Sequence, residues 1–169
     1  MLATIGYERS TLDDFVATLK VVNTDILVDI RERAQSRRPG FSKNALASAL
    51  EAVGITYVHM PELGDPKEGR DAARSGNFDL FRQIFGEAMK TPDAKAALSE
   101  IESLALSKNV CLMCFERDQN HCHRKIVSDF LDTRLPTKTV HRGVKLGASN
   151  ATGGRRVLHP DQGATASVQ

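Results

Sequence analysis

A chain of 169 residues is the usual length of one domain, and its composition, 41% hydrophobic and 26% charged, excludes the disordered and fibrous classes. A net charge of +2 is too small to indicate nucleic-acid binding by itself. The longest apolar runs are much shorter than the roughly 20 residues of a membrane helix, and the first residues lack the pattern of a signal peptide. We therefore expect a cytoplasmic protein without a membrane partner.

Short apolar segments alternate with amphipathic segments along the chain. Strands are predicted at residues 2–7, 25–30, 55–58, 110–115 and 137–141. Helices are predicted to begin after Ser10, at Ser42, near Phe78, after Pro92 and at Cys122. This alternation predicts an α/β fold in three layers, with a mostly parallel, Rossmann-like sheet of about five strands flanked by helices.

The same pattern predicts one domain, residues 1–142, followed by a flexible tail at 143–169. The tail is expected because this part is rich in small and polar residues. Residues 61–76 form a long, charged stretch between a strand and a helix, and they are a candidate lid over a ligand.

Polar side chains follow three of the predicted strands, and the carboxyl ends of parallel strands meet at one edge of a sheet. The candidates for binding a substrate in these loops are Tyr7, Ser10, Arg31, Ser36, Arg37, Phe41 and Arg124. Four arginines at positions 31–38 are suited to phosphate or carboxylate. A solvated basic loop is the simpler alternative, but the loop's position after a buried strand favours an anionic ligand, for example a nucleotide or nucleic acid.

The loop from Cys114 to Arg124 carries the most specific signal. The candidate catalytic residues are Asp29, Cys114, Glu116, Cys122 and His123. A thiol at the start of a helix beside an arginine is expected to have a lowered pKa, and a partly desolvated glutamate can act as a general acid or base. Core packing for the thiols, a packed imidazole and a structural ion pair of Arg124 with Glu116 are the competing interpretations.

The spacing of Cys111 and Cys114 is that of a zinc ligand pair, but strand alternation argues against it. Residues three apart on a strand point to opposite faces, so these two thiols cannot grip one ion, and Cys111 is assigned to the core. A redox pair at this spacing is weakened by the same argument. We expect no cofactor and no metal, while a smaller metal site of Cys114, Cys122 and His123 and a Cys114–Cys122 disulfide stay open.

Several of these segments together carry a family resemblance. They are residues 4–10 (TIGYERS), 28–31 (VDIR), Ser36-Arg37, 39–42 (PGFS), Leu63-Gly64, and Cys-x-Glu at 114–116 with Cys-His-Arg at 122–124. The chain resembles the domain-of-unknown-function 488 family over roughly residues 2–141. Tyr7-Glu8 departs from the His-Ser that is frequent in the family. The resemblance implies a fold and the position of a site, but no substrate.

Three functions are compatible with these residues. The first is an enzyme that acts on a nucleic acid or nucleotide, for example by hydrolysis at a base or glycosidic bond, with phosphate held by the arginine loop. The second is thiol, redox or metal chemistry centred on Cys114 and Cys122. The third is a non-catalytic module that binds a phosphorylated ligand. We favour the first because the arginine loop accounts for more of the polar residues.

Overall fold

The computed structural model describes residues 1–152, in which one sheet of five parallel strands forms the centre of an α/β fold. The strands are β1 (Leu2–Gly6), β2 (Ile26–Asp29), β3 (Thr56–His59), β4 (Val110–Cys114) and β5 (Val140–Gly143). Their order across the sheet is β3-β2-β4-β1-β5. The α/β, Rossmann-like fold predicted from the sequence is confirmed, and the predicted strand positions differ from the observed ones by one to three residues.

The central strands are apolar because helices cover both of their faces. Every residue of β1, β2 and β4 is buried, whereas the edge strands β3 and β5 are partly exposed. Gly6 of β1 pairs with Cys114 of β4, and Asp29 of β2 pairs with Met113 of β4. The carboxyl ends of these three strands therefore lie side by side, as the sequence predicts.

Helices pack on the two faces of the sheet. The helices are α1 (Leu12–Val21), α2 (Lys43–Glu51), α3 (Lys67–Arg74), α4 (Phe78–Ala88), α5 (Pro92–Ser107), α6 (His123–Leu131) and α7 (Ala148–Thr152), with short 3-10 helices at Pro61–Leu63 and Gln119–His121. Apolar residues of α1 and α2 pack on one face together with Cys111 of β4. Residues of α3, α4, α5 and α6 form the core on the other face.

Two segments contain more regular structure than the sequence indicates. Residues 61–76, predicted to be a loop, contain a 3-10 helix and α3. Residues 143–152, the beginning of the predicted tail, include the buried Val144 and α7. The carboxylate of Asp14 in α1 accepts hydrogen bonds from the backbone N–H groups of Gly147 and Ser149, which fixes this segment against α1. The rest of the predicted tail lies outside the described residues.

Candidate functional site

A pocket of about 630 Å³ lies at the carboxyl edge of β1, β2 and β4. Its wall combines arginines from the loop after β2 and from α3 with Cys114, Glu116 and His123 from the end of β4 and the start of α6. A volume of this size is typical of small-molecule sites. Two of the loops that the sequence singles out therefore converge on one cavity, with Tyr7 from the third.

The rim of the pocket is rich in positive charge. Arg33, Arg37 and Arg38 follow β2, and Arg70 and Arg74 project from α3. Arg38 donates to the Ser10 carbonyl, Arg70 pairs with Glu32, and Arg74 with Asp71. Within residues 1–152, the side chains of Arg33 and Arg37 make no ion pair or hydrogen bond and are exposed. Among the described residues, no side chain or backbone group therefore occupies the donors of these two guanidinium groups.

Arg31 is held differently from the other arginines of its loop. It is buried, and its Nε and Nη2 donate to Asp29 Oδ1 and Oδ2 at 2.8 and 2.6 Å. Its Nη1 donates to the Tyr7 hydroxyl and the Phe41 carbonyl, at 2.9 and 3.0 Å. Burial lowers the pKa of Arg31, but the hydrogen bonds and charge of Asp29 raise it by more, so the guanidinium stays charged. Arg31 touches the pocket, but its main task is to join β1, β2 and the following loop.

Asp29 lies behind this wall. Its side chain is fully buried, and Oδ2 also accepts a hydrogen bond from the Tyr57 hydroxyl at 2.7 Å. Burial and the neighbouring carboxylate raise the pKa of Tyr57, which keeps that hydroxyl a donor. Asp29, a candidate catalytic residue, therefore has both oxygens occupied and does not line the pocket.

Three other candidate residues support the wall. Phe41 is buried and stacks on Tyr7 with ring centroids 4.3 Å apart. Ser10 is buried and donates to the Tyr7 carbonyl, so it does not reach the ligand space. Ser36 lines the pocket, and its hydroxyl accepts a hydrogen bond from the Arg38 backbone. Ser36 thus lines the pocket together with Tyr7, and Phe41 positions the Tyr7 ring.

The floor of the pocket contains a cluster of titratable groups. The Cys114 thiol donates to Glu116 Oε2 at 3.3 Å and lies 3.7 Å from His123 Nδ1. His123 Nε2 lies 3.0 Å from the Ile30 carbonyl and donates to it, because a carbonyl can only accept. The ligand atoms of Cys114, Cys122 and His123 all lie within 4.8 Å of one another. The sequence places these groups together correctly.

The prediction of a thiol with a lowered pKa is wrong. Burial and Cys114 raise the pKa of Cys122 well above its ordinary value. The Cys122 hydrogen bond lowers the pKa of Cys114, but burial and Glu116 raise it more. Burial opposes a charge on His123, yet Cys122, the Ile30 carbonyl and Glu116 raise its pKa to about 9. Enclosure of the sulfur atoms thus outweighs the effect of the helix N-terminus.

Arg124, a candidate for binding a substrate, does not line the pocket, and it does not form the ion pair with the Glu116 carboxylate that was the competing interpretation. Its guanidinium is 1% exposed and donates to the backbone carbonyls of Glu116 and Arg117. The Glu116 carbonyl also lies against Gly6, where a Cβ atom would come within 1.7 Å of it. Arg124 and Gly6 therefore fix the backbone of the loop and leave the Glu116 side chain free to face the pocket.

Cys111 lies apart from the other thiols, as strand alternation predicts. Its side chain is buried in the core beneath α1 and α2, and burial raises its pKa to about 12. It lines none of the walls described above. A zinc ligand pair of Cys111 and Cys114 is therefore excluded by geometry.

Asp65 is a pocket residue that the sequence analysis missed. It follows the 3-10 helix after β3, is 6% exposed, and lines the pocket. Within residues 1–152 its Oδ1 has no hydrogen-bond partner, and burial raises its pKa to about 6. The sequence did offer one indication of Asp65, because this residue follows a parallel strand and comes directly after Leu63-Gly64 in the chain. The expectation that 61–76 is a long lid concealed it.

The sequence model for a domain of unknown function, DUF488, matches residues 11–131, which is more than half of the chain. The chain belongs to the DUF488 family. The matched part of this DUF488 member holds Asp65, Glu116 and His123 and the rim arginines, whereas Tyr7 lies before it. No curated protein and no solved structure matches the chain. Among the helices of residues 1–152, none has the length and apolar character needed to cross a membrane.

Proposed function

We propose that the chain is an enzyme acting on a nucleic acid or nucleotide, with hydrolysis at a base or glycosidic bond as the reaction class. One observation carries the proposal: a single pocket has guanidinium groups on its rim and acid-base groups on its floor. A ligand with a phosphate at the rim would place its sugar or base near the floor. This arrangement accounts for both sets of residues.

The rim is suited to phosphate for a physical reason. Guanidinium groups present planar, paired donors that match phosphate oxygens, and they stay charged at all relevant pH values. Arg33 and Arg37 keep their donors free within the described chain, and Arg38 lies beside them. Glu32 neutralises only Arg70 of this group. The rim therefore has an excess of positive charge where an anion would enter.

The floor offers a proton donor and a proton acceptor. A carboxyl group whose pKa is about 6, as at Asp65, is partly protonated near neutral pH and can give a proton to a leaving group. Glu116 is half-buried in the same pocket, and its charge contributes to the raised pKa of Asp65. We therefore assign Asp65 as the general acid and Glu116 as the general base that activates water. Asp29 is given neither role because both of its carboxylate oxygens already accept hydrogen bonds.

Binding assays test the first half of the proposal. Single- and double-stranded oligonucleotides and mononucleotides are titrated at two salt concentrations into wild type, Arg37→Ala and Arg82→Ala. Arg82 is the control because it is exposed on α4, pairs with Asp79 and does not line the pocket. We expect binding that weakens with salt and is reduced by Arg37→Ala alone. No binding at either salt concentration, or equal effects of the two variants, would refute the proposal.

Turnover separates an enzyme from a binding module. The bound ligands are incubated with wild type, Glu116→Gln and Asp65→Asn, and released bases or fragments are detected by mass spectrometry. We expect Glu116→Gln to keep the affinity within about threefold while turnover falls by about 10²–10⁴-fold, the usual contribution of a positioned acid or base. Tight binding without any turnover by wild type would instead favour the non-catalytic module.

A further inference from the structure

Cys114, Cys122 and His123 form a compact set of soft and nitrogen ligands at the floor of the pocket. The three side chains are 3–6% exposed, and their ligand atoms lie within 4.8 Å of one another. They come from the end of β4 and the beginning of α6, so two fixed elements hold them. We propose that these three residues bind one Zn²⁺ ion, whose fourth position faces the pocket. This proposal goes beyond the proposed function and deepens it.

The spacing of the ligand atoms is close to that of a tetrahedral zinc site. Zinc bonds of about 2.3 Å to sulfur and about 2.0–2.1 Å to nitrogen place neighbouring ligand atoms about 3.5–3.8 Å apart at tetrahedral angles. Cys114 Sγ and His123 Nδ1 are 3.7 Å apart. The whole set, within 4.8 Å, needs only small side-chain shifts to close around an ion.

The orientation of His123 is also that of a metal ligand. Its Nε2 donates to the Ile30 carbonyl at 3.0 Å, which leaves Nδ1 as the nitrogen beside the Cys114 thiol, 3.7 Å away. A backbone carbonyl on the far ring nitrogen is the usual partner that orients a zinc-bound imidazole and fixes its tautomer.

Charge explains why such a site can be buried. Two thiolates and a neutral imidazole around Zn²⁺ carry no net charge, whereas the same thiolates without metal would be costly to bury. Cys111, the third thiol, lies on the other face of the sheet and takes no part.

Three protein ligands leave one position for water or substrate, as in catalytic zinc sites. Cys114 and His123 line the main pocket, and Cys122 lines an adjoining pocket of about 330 Å³. Glu116 and Asp65 border both pockets. In this position Zn²⁺ would lower the pKa of a bound water, and Glu116 would accept its proton. The chemistry suits the hydrolytic class proposed above.

Metal binding is measured directly, independently of any activity. The full chain is reduced, freed of metal with a chelator, and titrated with Zn²⁺ and with Co²⁺, and bound metal is determined by elemental analysis. Cys114→Ser, Cys122→Ser and His123→Ala are compared with the controls Cys111→Ala and His121→Ala. His121 is an exposed neighbour in sequence, and Cys111 a buried thiol outside the cluster. Circular dichroism establishes that each variant is folded.

We expect one Zn²⁺ per chain, the intense charge-transfer absorption of thiolate-bound Co²⁺, and affinity losses above about 100-fold in each ligand variant. The controls should bind as wild type does. No uptake by the reduced, folded protein overturns the proposal, and so does metal that depends on Cys111 or His121. If Cys114 and Cys122 form a disulfide, and the chain takes up no Zn²⁺ after that disulfide is reduced, the proposal is also overturned. Zinc uptake without nucleotide binding would refute only the proposed function. Nucleotide binding without zinc uptake would refute only the zinc site.

Discussion

Replacement of Asp65 by asparagine should stabilise the metal-free protein at neutral pH. The carboxyl group is 6% exposed, and its Oδ1 has no partner among the described residues, so its charge is poorly solvated. The rise of its pKa from 3.8 to about 6 corresponds to an upper limit of about 3 kcal/mol. Water in the pocket screens part of this, and we expect about 1–2 kcal/mol. For a chain of this size, that equals a rise in Tm of about 2–8 °C.

The pH dependence of this gain follows from its sign. Because the pKa is raised on folding, the native state binds more protons than the unfolded state between pH 3.8 and about 6, so stability falls as pH rises through that window. The gain from Asp65→Asn should be largest at pH 7.5 and about a third as large at pH 4.5. Urea denaturation of both proteins at these two pH values, with chelator present, gives the comparison.

Asp14 provides the control of opposite sign. Hydrogen bonds from Gly147 and Ser149 lower its pKa to about 2, so its stabilising effect is present above about pH 3.8 and is lost as pH falls through 2. Asp14→Asn should therefore destabilise the protein by the same amount at pH 4.5 and 7.5. Equal gains from Asp65→Asn at both pH values, or a loss at pH 7.5, would refute the assignment of a poorly solvated charge at Asp65.

Other substitutions test the support of the pocket by equilibrium denaturation. Arg31→Met leaves Asp29 charged and buried and should cost about 3–5 kcal/mol; a cost below about 1 kcal/mol would contradict a structural role for this pair. Gly6→Ala places a Cβ atom 1.7 Å from the Glu116 carbonyl and should cost at least about 1–3 kcal/mol while weakening ligand binding. Gly86→Ala is its control in α4, where no atom lies within 4 Å of the new Cβ, and should stabilise by about 0.5–1 kcal/mol.

The sequence predicts the fold well because β1, β2 and β4 are short and mostly apolar. Such strands are recognisable from composition, and a parallel sheet then determines which loops share an edge. This reasoning brings Cys114, Glu116 and His123 together and separates Cys111 from them, as observed. The order of the strands in the sheet does not have to be known to reach that result.

Other properties depend on contacts that a linear pattern does not contain. A sequence cannot show that Arg31 is engaged by Asp29 while Arg37 has no partner in residues 1–152, since both lie in the same basic loop. It cannot show how deeply Cys122 is enclosed, and that enclosure reverses the expected pKa change. Asp65 was missed because the helix beyond it has few apolar residues and resembles a loop.

Arg124 donates hydrogen bonds to the carbonyls of Glu116 and Arg117, and this makes the floor of the pocket more rigid than its rim. Because these contacts fix the backbone of the floor before any ligand arrives, binding should cost little conformational entropy of that backbone. The exposed rim arginines, by contrast, must lose rotamer freedom to grip an anion. Under the proposed function, exchange of rim residues such as Arg33 and Arg37 would therefore change ligand preference while the geometry of the floor persists.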